Sequence, residues 1–154
     1  METFWKELTT GLPDAQHLTV FVIRILAAVI FGAVIGFERE RAGKAAGLRT
    51  HILVALGTCM FVMVCTFSGM TSDGLSRVIQ GIVTGLGFLG AGAIFKASEH
   101  YEIKGLTTAA GIWMTAAIGI SAGLGMVGMA FLATLITLAV LVLVRRAEHK
   151  NEKE

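Results

Sequence analysis

Between Leu106 and Val144 the chain runs for 39 residues without an Asp, Glu, Lys or Arg. A single helix of that length measures about 58 Å at 1.5 Å per residue. The hydrocarbon core of a bilayer is about 30 Å thick and is crossed by about 20 apolar residues. The stretch must therefore turn back on itself, and Ser121-Ala122-Gly123-Leu124-Gly125 is where small residues permit it. The same apolar character extends back to Leu18, broken only by short charged loops. Charged residues make up 16% of the chain, too few to coat an ordinary water-soluble domain. Lipid is the solvent for most of this protein.

Five spans are expected: Leu18 to Phe37, Ile52 to Met70, Val78 to Phe95, Leu106 to Ala122 and Leu124 to Val144. Backbone groups in hydrocarbon must be satisfied within the segment, so the spans are helices and the fold class is all-α, a polytopic bundle. Residues 1–17 form an N-terminal extracytoplasmic segment, 18–144 the membrane domain and 145–154 a basic cytoplasmic tail. The N-terminal segment, with Glu2, Lys6, Glu7 and Asp14, is net negative and does not resemble a signal peptide.

Orientation follows from Lys and Arg. Arg39, Arg41, Lys44 and Arg49 lie in the first connection, Lys96 and Lys104 in the third, and Arg145, Arg146, Lys150 and Lys153 in the tail. With five spans these ten share one side, against Lys6 and Arg77 on the other. The bias predicts the N-terminus outside and the C-terminus inside. Merging the last two spans would put the tail on the wrong side.

Nineteen glycines accompany a single proline. In membrane helices, glycine lets backbones approach, because packing replaces hydrophobic drive. In the third span Gly81, Gly85 and Gly92 share one face, with Gly87 and Gly90 on the other. This predicts a central helix with neighbours on both sides, either packed tightly or lining an ion path with its carbonyls. The fourth span carries a small polar stripe, Thr108, Gly111, Thr115 and Gly119, extended by Thr107. Packing and a hydrated cavity both accommodate it.

Arg24 is the charge deepest within a span, and its position favours a buried partner such as a carbonyl over lipid. Glu38-Arg39-Glu40-Arg41 is an alternating cluster at the membrane edge, and Gly47-Leu48-Arg49-Thr50 reads as a turn with Thr50 capping the next helix. Arg24, Glu38, Arg39, Glu40 and Arg49 are the candidate functional charges. Glu38, Arg39 and Arg49 are expected to gather at the Thr107-Thr108 helix start, whose free N–H groups suit a carboxylate.

The strings IGFERERAGKAAGLRTHILVALGT and GIVTGLGFLGAGAIFKASEHYEIKGLTTAAGIWMTAAIGISAGLG resemble the MgtC/SapB membrane family. The combined G-F-E-R-E, G-L-R-T, G-F-L-G-A-G and G-L-T-T-A-A signatures carry the resemblance, which extends over nearly all of Ile30 to Gly125. It implies a multi-pass protein of the bacterial inner membrane tied to magnesium limitation, and in some pathogens to survival inside phagocytes. Two kinds of action are implied. One is ion transport. The other is regulation by binding another membrane protein, such as the proton-driven ATP synthase. Many members carry a soluble C-terminal domain; this chain, ending at Glu154, reads as a short form without it.

Mg²⁺ prefers carboxylate oxygens in octahedral geometry. Glu38 and Glu40 lie at the membrane edge, Asp73 in the outer connection, and Glu99 and Glu102 in the third connection, so no carboxylate lies at mid-membrane. Mg²⁺ is thus a candidate solute without an evident dehydrating site in one copy, and no cofactor is expected. The four histidines, His17, His51, His100 and His149, lack metal-ligand spacing, and Cys59 and Cys65 point in different directions on one helix. No nucleophile motif is present, so no enzymatic activity is expected. Gly85, Gly87 and Gly90 spell G-x-G-x-x-G, but inside a span rather than after a strand, which excludes a dinucleotide site. The basic residues follow membrane topology rather than nucleic-acid binding. The partners left are the bilayer, further copies of the chain and another membrane protein.

Overall fold

The computed structural model describes residues 1–9, 14–94 and 104–151, with side chains described over 1–6, 14–94 and 104–145. A short helix α1 (Glu2–Thr9) precedes five long ones: α2 (Ala15–Arg41), α3 (Leu48–Phe67), α4 (Ser72–Ile94), α5 (Leu106–Gly123) and α6 (Val127–Asn151). All five long helices carry a segment long and apolar enough to cross a membrane. The chain is an all-helical bundle of five spans. The helices overrun the expected spans at most ends: α2 begins at Ala15 and continues to Arg41, and α6 continues past Val144. Lipid sets the minimum length of a helix, and charged turns beyond the hydrocarbon extend it. The expected third span ends at Phe95, which lies outside the described residues together with Lys96, Glu99, His100, Glu102 and Lys153.

The expected fold-back is present. α5 ends at Gly123, the chain turns through Leu124, Gly125 and Met126, and α6 starts at Val127. Gly125 has φ +84°, in the left-handed region that glycine adopts without strain.

α2, α3 and α5 form the packed centre. Ala28 and Ile35 of α2, Ala55, Cys59 and Met63 of α3, and Ile118 and Ala122 of α5 bury one continuous core, joined by Ala130 of α6. The helices meet backbone to backbone. A Cβ placed on Gly32 would lie 2.7 Å from the His51 carbonyl oxygen, and one on Gly119 would lie 2.1 Å from Thr58 Oγ1 and 2.4 Å from the Ala55 oxygen. Only glycine permits these crossings.

The structure corrects the expectation that the third span is central. α4 packs along α5 and the edge of α3, and Leu86 is its only buried residue. A Cβ on Gly81, Gly85, Gly87 or Gly92 would meet nothing within 4 Å, and one on Gly90 would meet Ala109 Cβ at 3.6 Å, an ordinary contact. The central helix is α5, whose polar stripe faces inward on Thr108, Gly111, Thr115 and Gly119. A glycine pattern marks where a close approach is allowed. It does not say whether a neighbour makes it.

Between α3 and α4 lies an apolar groove of about 590 Å³, lined by residues that include Leu53, Phe61, Gly81, Gly85 and Leu89.

Candidate functional site

The C-terminus of α2, the N-termini of α3 and α5 and the distal part of α6 meet at one end of the bundle, and the charged residues of the 38–49 segment gather there. Arg39 is 1% exposed although it sits near the helix end. Its Nε and Nη2 both donate to Oε2 of the adjacent Glu38, and Arg145 Nη1 of α6 stands 3.3 Å from the other carboxylate oxygen. One carboxylate thus ties two guanidiniums, one from its own helix and one from the last. A largely desolvated pair of this kind is strong evidence of constraint and weak evidence of net stabilisation, because taking the charges out of water offsets their attraction.

Glu40 points the other way. Its Oε2 accepts a 2.9 Å hydrogen bond from the Leu48 N–H and so caps α3 from the end of α2. Gly47 is the N-cap residue and makes no side-chain cap; a Cβ on it would lie 2.7 Å from the same Glu40 oxygen. This corrects the assignment of the cap to Thr50, which lies inside the first turn of α3. The capping oxygen comes from eight residues upstream, beyond the reach of a local pattern.

Behind this edge lies a buried polar contact between helices. His51 of α3 is fully buried, and its Nδ1 is 2.7 Å from Thr115 Oγ1 of α5. The Thr115 hydroxyl donates to the Gly111 carbonyl at 2.9 Å, so the proton in the His51–Thr115 bond belongs to Nδ1. His51 Nε2 has no hydrogen-bond partner. A Cβ on Gly111 would touch His51 Cε1 at 3.6 Å and Arg39 Cδ at 4.0 Å, so both side chains pass over this glycine. The sequence placed Thr115 in the polar stripe of the fourth span but did not single out His51, because the two are 64 residues apart.

At the opposite end Arg24 has the carbonyl partner its position called for: Nη1 donates to the Gly123 oxygen at 2.8 Å. The guanidinium covers the C-terminus of α5, where the helix dipole is negative. Gly125 makes room, since a Cβ there would lie 2.5 Å from Arg24 Nη2.

The expected gathering of Glu38, Arg39 and Arg49 at the start of α5 forms only in part. Arg39 and Thr107 line a common cavity of about 130 Å³ together with Lys44, Val140, Leu141, Val144 and Arg145. Glu38 binds Arg39 and Arg145 rather than the α5 start, and Thr108 is buried beside the core. Arg49 is exposed and lies outside that cavity, because its place in the first turn of α3 turns it outward. Lys44 and Arg145 entered no expected site; the charge pattern showed them only as topology signals.

Among the described residues no group of three or more His, Cys, Asp or Glu side chains is arranged to hold a metal ion. Cys59 and Cys65 are both buried and free.

A family model described as MgtC family matches residues 25–150. The chain is 42% identical over 143 residues to Protein SrpB of Synechococcus elongatus, covering 84% of this chain and 77% of that protein. It is 43% identical over 128 residues to the putative magnesium transporter YhiD of Escherichia coli K12, covering 79% and 59% respectively. It is 42% identical over 132 residues to Protein MgtC of Salmonella typhimurium, covering 84% and 54%. The chain therefore spans between about half and three quarters of the length of these relatives. No solved structure matches it significantly.

Proposed function

This chain belongs to the MgtC family, and on that premise we propose that it serves magnesium homeostasis as a non-enzymatic membrane regulator that docks a transmembrane partner on α4. It is a multi-pass membrane protein related to magnesium-associated proteins, consistent with a bacterial inner membrane. The observation that carries the finer reading is the contrast on α4: four glycines, Gly81, Gly85, Gly87 and Gly92, face open space in a single copy. Glycine in a helix interior costs about 1 kcal/mol relative to alanine, and close helix contact is what offsets that cost. A partner helix on the face shared by Gly81, Gly85 and Gly92 supplies the contact.

The centre of the bundle supports regulation over conduction by one copy. Gly32 and Gly119 bring α2, α3 and α5 to backbone contact, and the two described carboxylates at the charged end are engaged: Glu38 by two arginines, Glu40 by the α3 start. Mg²⁺ gives up its waters only to well-placed oxygens, and this edge is dominated by cations. The basic bias of ten to two supports an orientation with the charged end, including Arg39, Lys44 and Arg145, toward the cytoplasm.

The test has two arms. Vesicles holding one copy each and an internal Mg²⁺ indicator are expected to fill no faster than protein-free vesicles; rapid filling would replace regulation by conduction. In cells limited for Mg²⁺, Gly81→Leu with Gly85→Leu is expected to abolish growth support at normal protein abundance. Full growth support from that variant would end the role of α4.

A further inference from the structure

The cavity at the charged end has a chemistry that the regulator reading does not use. Arg39, Lys44 and Arg145 line it, and Glu38 is the carboxylate that binds two of them. Among the described residues at the cavity, three positive charges stand against one negative. Thr107, in the first turn of α5, lines the same space. The N-cap of α5 is Gly105, in the left-handed conformation at φ +98° and without a side-chain cap, so the partial positive end of an 18-residue helix adds to the cations. The opposite wall is apolar. Val140 and Leu141 of α6 lie one helical turn before Val144, and Val140 and Val144 are about half exposed toward the bilayer.

We propose that this cavity binds the phosphate group of an anionic membrane lipid. The cations and the α5 start take the phosphate oxygens. The ester chain leaves along the Val140–Val144 face of α6, where a free phosphate has nothing to contact. Arg39, almost wholly buried and held by Glu38 through Nε and Nη2, gives the site a guanidinium charge fixed in place. The remaining donors come from Lys44 and Arg145, which reach the cavity from the α2–α3 connection and from α6. An occupied site ties together α2, α5 and α6, helices that are distant in sequence. The same charges repel a divalent cation, so this is a lipid site and not a Mg²⁺ site. Basic pockets between helices at a membrane surface are a general means of selecting anionic headgroups.

The experiment uses the full chain purified in nonionic detergent, with lipid binding followed by native mass spectrometry. Phosphatidylglycerol is expected to bind at least about fivefold more tightly than phosphatidylcholine, which has the same phosphate but no net charge. Lys44→Gln, at a residue outside the core, is expected to weaken phosphatidylglycerol about fivefold, and Lys44→Gln with Arg145→Gln about 25-fold. Lys44→Arg is expected to restore the affinity. Arg41→Gln, an exposed change at the same end, is expected to leave it unaltered. Equal binding of the two lipids, an unaffected Lys44→Gln variant, or an equal loss in Arg41→Gln would overturn the site. Displacement of phosphatidylglycerol by equimolar inorganic phosphate would overturn its assignment to lipid.

Discussion

Two parts of this bundle, α4 and the set α2, α3 and α5, each carry six helical glycines and use them differently. Where α2, α3 and α5 cross, glycines hold the backbones together: a methyl group on Gly119 has no place between Thr58 and Ala55. On α4, Gly81, Gly85, Gly87 and Gly92 have open space beside them, and a methyl group on Gly85 has nothing within 4 Å. α3 is capped by Glu40 of α2, and the end of α5 by Arg24 of α2, whereas Thr71 accepts the Gly74 N–H of α4 from within its own segment. The packed helices are joined through long-range polar bonds as well as through their surfaces. α4 is capped locally at its N-terminus.

The sharpest way to break this comparison is a matched pair of substitutions. Gly119→Ala is expected to destabilise the bundle by about 3 kcal/mol, the upper part of the usual overpacking range, because the clash is with backbone as well as side chain. Gly85→Ala is expected to stabilise the isolated protein by about 1 kcal/mol through helix propensity. Denaturant unfolding in micelles measures both, and equal responses would erase the distinction between the two regions.

A smaller effect is expected from the cross-helix bond at the far end. Arg24→Gln removes a charged donor from the Gly123 carbonyl and is expected to cost about 2 kcal/mol. Arg77→Gln, an exposed change on α4, is expected to cost nothing measurable by the same unfolding assay.

Removing a cap on the packed side comes next. Glu40→Gln keeps an oxygen near the Leu48 N–H but loses its charge, and is expected to cost about 1 kcal/mol and to raise amide exchange at the start of α3. Unchanged exchange there would mean that α3 is capped by something other than its neighbour.

The least effect is expected at a cap of the local kind. Asp14 accepts the His17 backbone N–H at 2.8 Å, and this bond, followed by the His17 side chain, holds its carboxyl below the usual carboxylate value of 3.8. Its contribution is present above that value and is lost as the pH falls through the lowered one. Amide exchange at the α2 start should rise only in that acid window, while exchange at the Glu40-capped start of α3 identifies any general loosening. No rise at α2 would remove Asp14 as a cap.

Much of the fold was legible from residue type. The apolar run from Leu106 to Val144 required a turn, expected within Ser121–Gly125, and its five-span consequence holds, because hydrocarbon thickness and backbone satisfaction leave few alternatives. Arg24 announced a buried partner because an intramembrane charge is costly, although residue type alone could not choose Gly123. The candidate site was harder to see. Glu38 and Arg39 stood out as charges at a helix end, but Arg145, Lys44 and Thr107 reach the same cavity from segments far apart in the chain, and His51 finds Thr115 across two helices.

What the amino-acid sequence determined by itself was the solvent of each segment, the number of crossings and the spots where backbones are free to approach. Which glycines are used was decided by tertiary packing alone. Hydropathy and spacing are properties of one helix, whereas a close crossing, a cap donated from another helix and a shared cation cavity are properties of two or three helices brought together.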